Sequence, residues 1–289
     1  MYTNKNDIDD RWGELSPLHD PNILANFVAR PTDVLITTPP KAGTTWMQQI
    51  LHQLRSGGDT AFTSIDDVVP WLEIQRDGKN WQETLEHFET LAEPRIFKTH
   101  CTAEQTPGID TAKIILTSRD PRDCCVSFYH HLMNMTDEAR LNKQIPCPTS
   151  FDEHVDMWLE FAAWYRNVSS WWPYHGHPNV LWLRYQDMKN DIESGIDKII
   201  AFLEWDVTVK QKEKVLEYSS FDWMKTHDEK FSGQGSNRNT KIFKPGKFIR
   251  QGKVGKYHDL MSPEQEQRIL EKAKIMLEPE CLKFLEIDS

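Results

Sequence analysis

The chain has 289 residues, which is enough for one large α/β domain with a substantial core. It contains 34 lysines and arginines against 44 aspartates and glutamates, and this gives a formal net charge of −10. An acidic surface argues against general binding to nucleic acid or to an anionic membrane. Any site for an anion must therefore be a local basic pocket.

The start of the chain and its cysteines indicate a cytoplasmic protein. Residues 1–10 are polar and lack the apolar stretch of a secretory signal. No apolar run approaches the roughly 20 residues that span a bilayer. Five cysteines, odd in number and without C-x-x-C spacing, are typical of reduced thiols. The histidines and cysteines also lack zinc-like spacing, so the sequence predicts no metal.

The first predicted strand leads directly into an anion-binding turn. Residues 33–36 form a short apolar run that predicts a buried strand, and apolar positions over 46–54 lie on one face of a helix. Between them, Gly43 lets the backbone approach a ligand closely. The free amides at the helix start and the charge of Lys41 favour a bound phosphate.

Three later apolar runs predict further strands, each covered on both faces, at residues 95–100, 113–118 and 179–184. Helical patterns are predicted over residues 122–135, 150–172, 192–203 and 208–218, with a last helix from 262 that Pro279 ends. Alternating strands and helices predict a parallel sheet with helices on both faces, as a single α/β domain over residues 1–289.

Three segments are expected to lie around this sheet. Residues 1–30 are a lead-in, residues 60–93 form a cap of short helices, and residues 231–247 form a loop. Ligands of such sheets bind beyond the carboxyl ends of the strands. Lys41, Lys98, His100 and Arg119 each lie at or just past a strand end, so we expect them at one edge.

Two of these residues have chemistry that suits group transfer. His100 by default is a polar residue at a strand end, but a neutral imidazole can also remove a proton from a hydroxyl group. Arg119 by default belongs to a charged first helical turn, but a guanidinium can also bind a phosphate through two hydrogen bonds. The functional interpretation is favoured because both residues are expected beside the anion-binding turn.

Six short motifs resemble those of the cytosolic sulfotransferases. Residues 40–46, Pro-Lys-Ala-Gly-Thr-Thr-Trp, resemble the 5′-phosphosulfate loop P-K-[SA]-G-T-T-W, in which lysine precedes the glycine. Residues 98–100 resemble the K-T-H motif. Residues 119–127 match the 3′-phosphate motif R-[DN]-P-[KR]-D-x-x-V-S at every fixed position.

The remaining motifs follow in family order. Residues 185–189 resemble Y-E-D-M-K, and residues 218–225 resemble T-S-F-x-x-M-K. Residues 248–255 resemble F-x-R-K-G-x-x-G, although Gln251 replaces a lysine there. With these motifs in order from residue 39 to 255, the chain is identified as a member of that family.

The resemblance implies transfer of a sulfuryl group from 3′-phosphoadenosine 5′-phosphosulfate (PAPS), without a metal, to the hydroxyl or amine of a small, mostly apolar acceptor. The product nucleotide is adenosine 3′,5′-bisphosphate (PAP). By the same resemblance, His100 is the base, Lys41 stabilises the leaving oxygens and Lys98 neutralises the transferring group. Ser127 binds the 3′-phosphate and holds Lys41 until the acceptor arrives.

The resemblance also implies a full set of contact residues. The acceptor pocket is expected to include Trp71 and His131, unless His131 simply continues its helix towards solvent. The donor site is expected to comprise Lys41, Ala42, Gly43, Thr44, Thr45, Trp46, Arg119, Ser127, Tyr185, Ser219, Ser220, Phe221, Phe248, Ile249, Arg250, Gln251 and Gly252.

Two other functions remain open at this point. A P-loop-type small-molecule kinase needs magnesium held by an acid at a strand end, but arginines lie nearest the third and fourth strand ends. A catalytically silent nucleotide-binding module would bind PAPS without turnover. The family's dimer motif is not evident over residues 256–271, which leaves both a monomer and a homodimer possible.

Overall fold

The structure, a computed structural model, describes residues 20–76, 78–142, 145, 147–233 and 241–287. Most of the predicted lead-in and residues 234–240 of the predicted loop lie outside these ranges. Within them, none of the helices combines the length and apolar character that crossing a lipid bilayer requires.

A four-stranded parallel sheet forms the centre of the fold, in the order β2-β1-β3-β4. Its strands are Val34–Thr37 (β1), Ile96–Thr99 (β2), Lys113–Ser118 (β3) and Val180–Arg184 (β4). All four predicted strands are therefore confirmed, with bounds within one residue of the prediction. Because every strand runs in the same direction, their carboxyl ends share one edge of the sheet.

Helices cover both faces of the sheet, as predicted. Val34 and Ile36 of β1 pack with one apolar cluster, while Leu35 between them packs with a different one. This alternation buries the strand on both sides. The helices are Pro21–Asn26 (α1), Thr44–Ser56 (α2), Ile65–Val68 (α3), Trp81–Glu89 (α4), Pro121–Asn134 (α5), Asp137–Asn142 (α6), Phe151–Phe161 (α7), Ala163–Trp171 (α8), Tyr185–Asn190 (α9), Ile192–Leu203 (α10), Val209–Tyr218 (α11), Phe221–Thr226 (α12), Pro263–Met276 (α13) and Pro279–Leu285 (α14).

The predicted helix over residues 150–172 is wrong as a single element. Ala162 has a φ of 51° and separates α7 from α8. A left-handed residue at this position caps one helix and redirects the chain into the next. The apolar pattern continues across the break, so periodicity alone could not locate it.

Pro279 begins α14, whereas the sequence predicted that it would end the preceding helix. Proline is well suited to the first position of a helix, because its missing N–H has no intrahelical acceptor there. The preceding helix ends earlier, at Met276.

A buried ion pair joins the beginnings of β1 and β2. Arg95 donates from Nε and Nη2 to the two carboxylate oxygens of Asp33, at 2.9 and 2.6 Å, and both side chains are fully buried. Phe27 and Phe97 lie against the guanidinium group. Arg95 Nη1 also contacts Glu89, at 2.5 Å, but the Glu89 side chain is largely exposed. Removing Asp33 would leave the buried guanidinium with only this exposed counter-ion.

We expect Asp33→Ala to lower the free energy of unfolding by about 3 kcal/mol, because the buried Arg95 would keep only the exposed carboxylate of Glu89 as its counter-ion. Urea denaturation of wild type and variant measures the change. The matched control is Asp156→Ala, which removes the exposed partner of Arg268. The control should leave the urea midpoint almost unchanged, and equal effects of the two substitutions would contradict the prediction.

Candidate active site

The anion-binding turn, residues 38–45, connects β1 to α2 in two left-handed steps. Lys41 has a φ of 67° and Gly43 a φ of 103°. Alternating backbone conformations of this kind direct successive amide groups into a concave anion site. The turn is fixed by side chains: Thr117 Oγ1 donates to the Ala42 carbonyl at 2.8 Å, and the Thr38 and Thr44 hydroxyls are hydrogen-bonded to each other.

Gly43 is required here for a second reason besides its φ. A Cβ atom at this position would lie 2.8 Å from Cδ2 of Tyr185, closer than real contacts allow. The ring of Tyr185 meets Trp46 edge-on at 5.5 Å, and Trp46 Nε1 donates to the Ser219 carbonyl at 2.8 Å. Three residues expected in the donor site, from distant parts of the chain, are thus assembled beside the turn.

The Lys41 amine lies among other positive charges. Burial lowers the pKa of Lys41 from 10.5 to about 8, and the neighbouring positive charges of Arg119, Lys98 and Arg250 also lower it. Its Nζ lies 3.0 Å from Nδ1 of His131 and 5.5 Å from the ring centre of Phe248. These positive charges repel one another, and a bound anion would reduce that repulsion.

Lys98, at the end of β2, is held by the cap. Its Nζ lies 2.8 Å from Oδ1 of Asp66 and 4.8 Å from the ring centre of Trp71. Backbone hydrogen bonds join Pro70 and Leu72 to Lys98, and these attach the cap to the edge strand. The sequence predicted no role for Asp66, because nothing in the local sequence indicates that this carboxylate of the cap faces Lys98.

His100 follows β2 and contacts the anion-binding turn through its side chain. Its Nδ1 lies 2.7 Å from the Thr38 carbonyl oxygen, and a carbonyl can only accept. Nδ1 therefore carries the proton, and the lone pair of the neutral ring is on Nε2. The His100 amide donates to Oε1 of Glu73 at 3.0 Å, and the ring meets Trp71 edge-on at 5.1 Å.

Arg119 lies at the end of β3 and connects several parts of the site. Its Nη2 donates to the Lys253 carbonyl at 2.7 Å, and its guanidinium lies 4.8 Å from the ring centre of Tyr185. Asp123 lies 3.4 Å from Arg119 and also accepts from the Gly255 amide at 2.9 Å. Asp123 was a fixed position of the predicted motif, but its function in holding the later loop is visible only in the tertiary structure.

The segment of residues 248–252 reaches the same site from the far end of the chain. Asp228 accepts from the amides of Phe248 and Ile249. Burial, together with the nearby charge of Arg119, lowers the pKa of Arg250. A Cβ atom on Gly252, whose φ is 57°, would lie 2.8 Å from Cδ2 of Phe221, so this glycine allows the segment to approach α12 closely.

Some predicted donor residues have less specific surroundings. Ser127 is half-buried on α5, and within the described residues its hydroxyl makes no hydrogen bond to Lys41. The Ser220 hydroxyl caps α12 by accepting from the Trp223 amide, and Gln251 is exposed. By contrast, Ser219 is fully buried, and its Oγ has no hydrogen-bond partner in the described part of the protein.

Arg119 Nε is likewise buried and without a partner among the described residues. Buried polar atoms are nearly always hydrogen-bonded, so two such atoms beside one turn are suited to contact a polar ligand. No cluster of three histidine, cysteine, aspartate or glutamate side chains that could hold a metal occurs among the residues that the structure describes.

Residues 31–275 match the model of the sulfotransferase domain. The chain belongs to the sulfotransferase family. It is 32% identical to human sulfotransferase 1E1 over 211 residues, with 70% of this chain and 69% of that protein covered. It is 30% identical to rat sulfotransferase 1 family member D1 over 273 residues, with 90% and 88% covered.

Solved structures show the same fold. A crystal structure of mouse sulfotransferase SULT7A1 complexed with PAP aligns with a TM-score of 0.72 at 22% identity, covering 92% of this chain and 91% of that one. Retinol dehydratase in complex with androsterone and inactive cofactor PAP aligns with a TM-score of 0.69 at 21% identity, covering 90% and 83%.

We expect sulfate to bind at the anion-binding turn and to bind less tightly as the pH rises through about 8. A bound anion favours the ammonium form of Lys41, whose pKa is lowered to about 8 in the free protein. Above that pH, binding must take up a proton, and the affinity should fall by up to about tenfold per pH unit. Thermal shift titrations with sulfate between pH 6.5 and 9.5 measure the effect.

The control for this titration is Lys41→Met, which should weaken sulfate binding at neutral pH and remove most of the pH dependence. Sulfate remains doubly charged over this range, so the ligand itself does not titrate. Stabilisation by sulfate that does not change with pH in the wild-type protein would contradict the prediction.

Proposed function

We propose that this chain transfers a sulfuryl group from PAPS to the hydroxyl or amine of a small, mostly apolar acceptor. The observation that supports this most strongly is the grouping of Lys41, His100 and Arg119 around one anion-binding turn at the carboxyl edge of the sheet. The family and the PAP named for its solved relatives agree with this choice of donor.

The donor site that we propose includes buried polar atoms that have no hydrogen-bond partner among the described residues. Phosphate oxygens accept hydrogen bonds, which the amides of the turn and Arg119 Nε can donate. For the 3′-phosphate we propose Arg119, Ser127 and Arg250, because the charge of Arg119 is close enough to Arg250 to add to the effect of burial in lowering its pKa. The aromatic rings of Trp46, Tyr185 and Phe221 are suited to pack on the adenine.

In the proposed reaction the acceptor oxygen attacks sulfur in line with the leaving phosphate. His100 takes the acceptor proton on Nε2, the nitrogen left with a lone pair by its hydrogen bond to Thr38. The S–O bond to the 5′-phosphate breaks as the new bond forms, and negative charge grows on the leaving oxygen. The Lys41 ammonium stabilises that charge electrostatically.

Lys98 connects the reacting group to the cap in this proposal. It supplies positive charge to the transferring group, while its contact with Asp66 fixes the amine and connects it to the cap. Movement of the cap on acceptor binding would then change the position of Lys98. The positioning of charges, rather than a covalent intermediate, accounts for the rate.

The acceptor pocket is proposed to lie between the cap and α5. Trp71 contacts both His100 and Lys98, which places an aromatic surface beside the two groups that act on the acceptor. His131 is directed towards Lys41 rather than solvent. An aromatic wall with one imidazole is suited to a mostly apolar acceptor with a further polar group.

A small-molecule kinase fits the site less well. The residue at the end of β4, Arg184, is engaged through its guanidinium by both carboxylate oxygens of Asp187, at 2.8 and 2.9 Å. Beyond the end of β3, Asp123 in the first turn of α5 is engaged by Arg119 and Gly255. These acids already have cationic or amide partners. A silent binding module remains the other alternative, and an assay of turnover distinguishes it from the enzyme that we propose.

A cytoplasmic location is part of the proposal and is supported by the five cysteines, all of which are free thiols. A monomer and a homodimer both stay predicted oligomeric states. Neither point affects the assignment of the reaction.

We expect labelled PAPS to transfer sulfate to members of a panel of alcohols, phenols and amines, with apolar alcohols or phenols preferred. His100→Ala should lower turnover by roughly 10²–10⁴-fold, the usual contribution of a general base, while PAP binding stays nearly intact. Single-turnover transfer and a PAP titration measure the two effects. Near-normal turnover in a folded variant would show that His100 is not the base, and no transfer to any acceptor would favour the silent module.

We expect PAP to raise the melting temperature far more than adenosine 5′-monophosphate, because Arg119 and Arg250 would contact the extra 3′-phosphate. Arg119→Ala should remove most of that difference. Arg268→Ala, on the exposed surface of α13, serves as the control and should preserve it. Equal stabilisation by both nucleotides in the wild-type protein would contradict the 3′-phosphate assignment.

A further inference from the structure

His131 is the residue that meets the Lys41 amine in this structure. Nδ1 of His131 lies 3.0 Å from Lys41 Nζ in a partly buried setting. The sequence resemblance implied that Ser127 would hold this lysine. Residues 127 and 131 lie four positions apart on α5 and therefore on the same face, one helical turn from each other.

The imidazole of His131 is fixed by an aromatic cluster. It stacks on Phe128 at 6.0 Å with an interplanar angle of 18°, and it lies 4.6 Å from Phe243 and 6.0 Å from Phe248, measured between ring centres. Phe243 is itself buried. The ring orientation is thus set by packing from α5 and from the segment that leads to Arg250.

The hydrogen bond between the two residues has one chemically reasonable direction. The Lys41 ammonium can only donate, so His131 Nδ1 accepts and the neutral ring is protonated on Nε2. An imidazolium in this place would repel the ammonium. The charged and titratable groups that influence Lys41 from the other packed elements are Arg119, Lys98, Arg250 and the Cys124 thiol.

We propose that His131 is a positioning residue that holds the Lys41 amine in the donor-free protein and releases it when an anionic donor binds. This inference rests on the proposed function only for the identity of the donor. A charge-assisted bond to a phosphate oxygen is stronger than a bond to a neutral imidazole, so a donor would draw the amine away. This step comes before the one that the resemblance implied for Ser127, which holds Lys41 until the acceptor arrives.

The amine reactivity of Lys41 in the donor-free protein tests this proposal without any turnover. Only the neutral amine is acylated, so the labelling rate of Lys41 by trace acetic anhydride, followed by mass spectrometry across pH 6–10, reports its pKa. His131→Phe keeps an aromatic ring of similar shape but removes the acceptor. His131→Asn places an amide oxygen where Nδ1 was.

In His131→Phe the ammonium loses its acceptor, so the pKa of Lys41 should fall below its value of about 8 in the wild-type protein. A fall of one unit raises the neutral fraction, and with it the labelling rate, about fivefold at pH 7 and nearly tenfold at pH 6. His131→Asn should restore most of the wild-type profile. His175→Phe, which changes a histidine stacked on Trp172, is the matched control and should leave the profile unchanged. Lys113 serves as an internal reference in every sample.

A Lys41 profile that is the same in His131→Phe and wild type would overturn the proposal. A shift in His131→Phe that Asn fails to restore would also overturn it, because packing rather than the acceptor would then be responsible. Melting temperatures verify that each variant is folded, and His131→Leu replaces the phenylalanine variant if that one is not. Saturating PAP should protect Lys41 in all folded variants, and lack of protection would count against the donor site instead.

Discussion

The electrostatic cost of placing Lys41 beside Arg119, Lys98 and Arg250 is the constraint on which the rest of the site depends. Burial and neighbouring positive charge together disfavour the ammonium form of Lys41. A protein tolerates such an arrangement when a ligand removes the cost, and in our proposal the anionic donor does so. The left-handed conformation of Lys41 and the fully buried Ser219 are further local costs at the same place.

Carboxylates from other elements limit that cost without cancelling the positive field. Asp66 of the cap engages Lys98, and Asp123 of α5 engages Arg119 while also holding the loop at Gly255. Each acid also joins a distant segment of the chain to a strand end, so charge balance and positioning come from the same contacts. In our proposal the neutral ring of His131 positions the Lys41 amine in the same way. A third carboxylate in its place would compete directly with the donor.

The sequence predicted the fold closely because the strands are short, apolar and buried on both faces, so their composition alone identifies them. It also predicted which strand ends meet, because parallel strands place their carboxyl ends at one edge. It failed at Ala162 and Pro279, where a single backbone conformation ends or begins a helix within a continuing apolar pattern. Such a backbone conformation depends on tertiary packing, which the spacing of apolar residues does not reveal.

The sequence by itself determined the family, the anion-binding turn and the set of cations around it, because these depend on residue types at fixed spacing. The tertiary structure alone decided the partners of those cations. Asp66 and His131 lie 32 and 90 residues from the lysines they contact, and no local pattern links such distant positions. Their contacts arise from how the cap and α5 pack against the sheet edge, and packing between elements is a property of the folded chain.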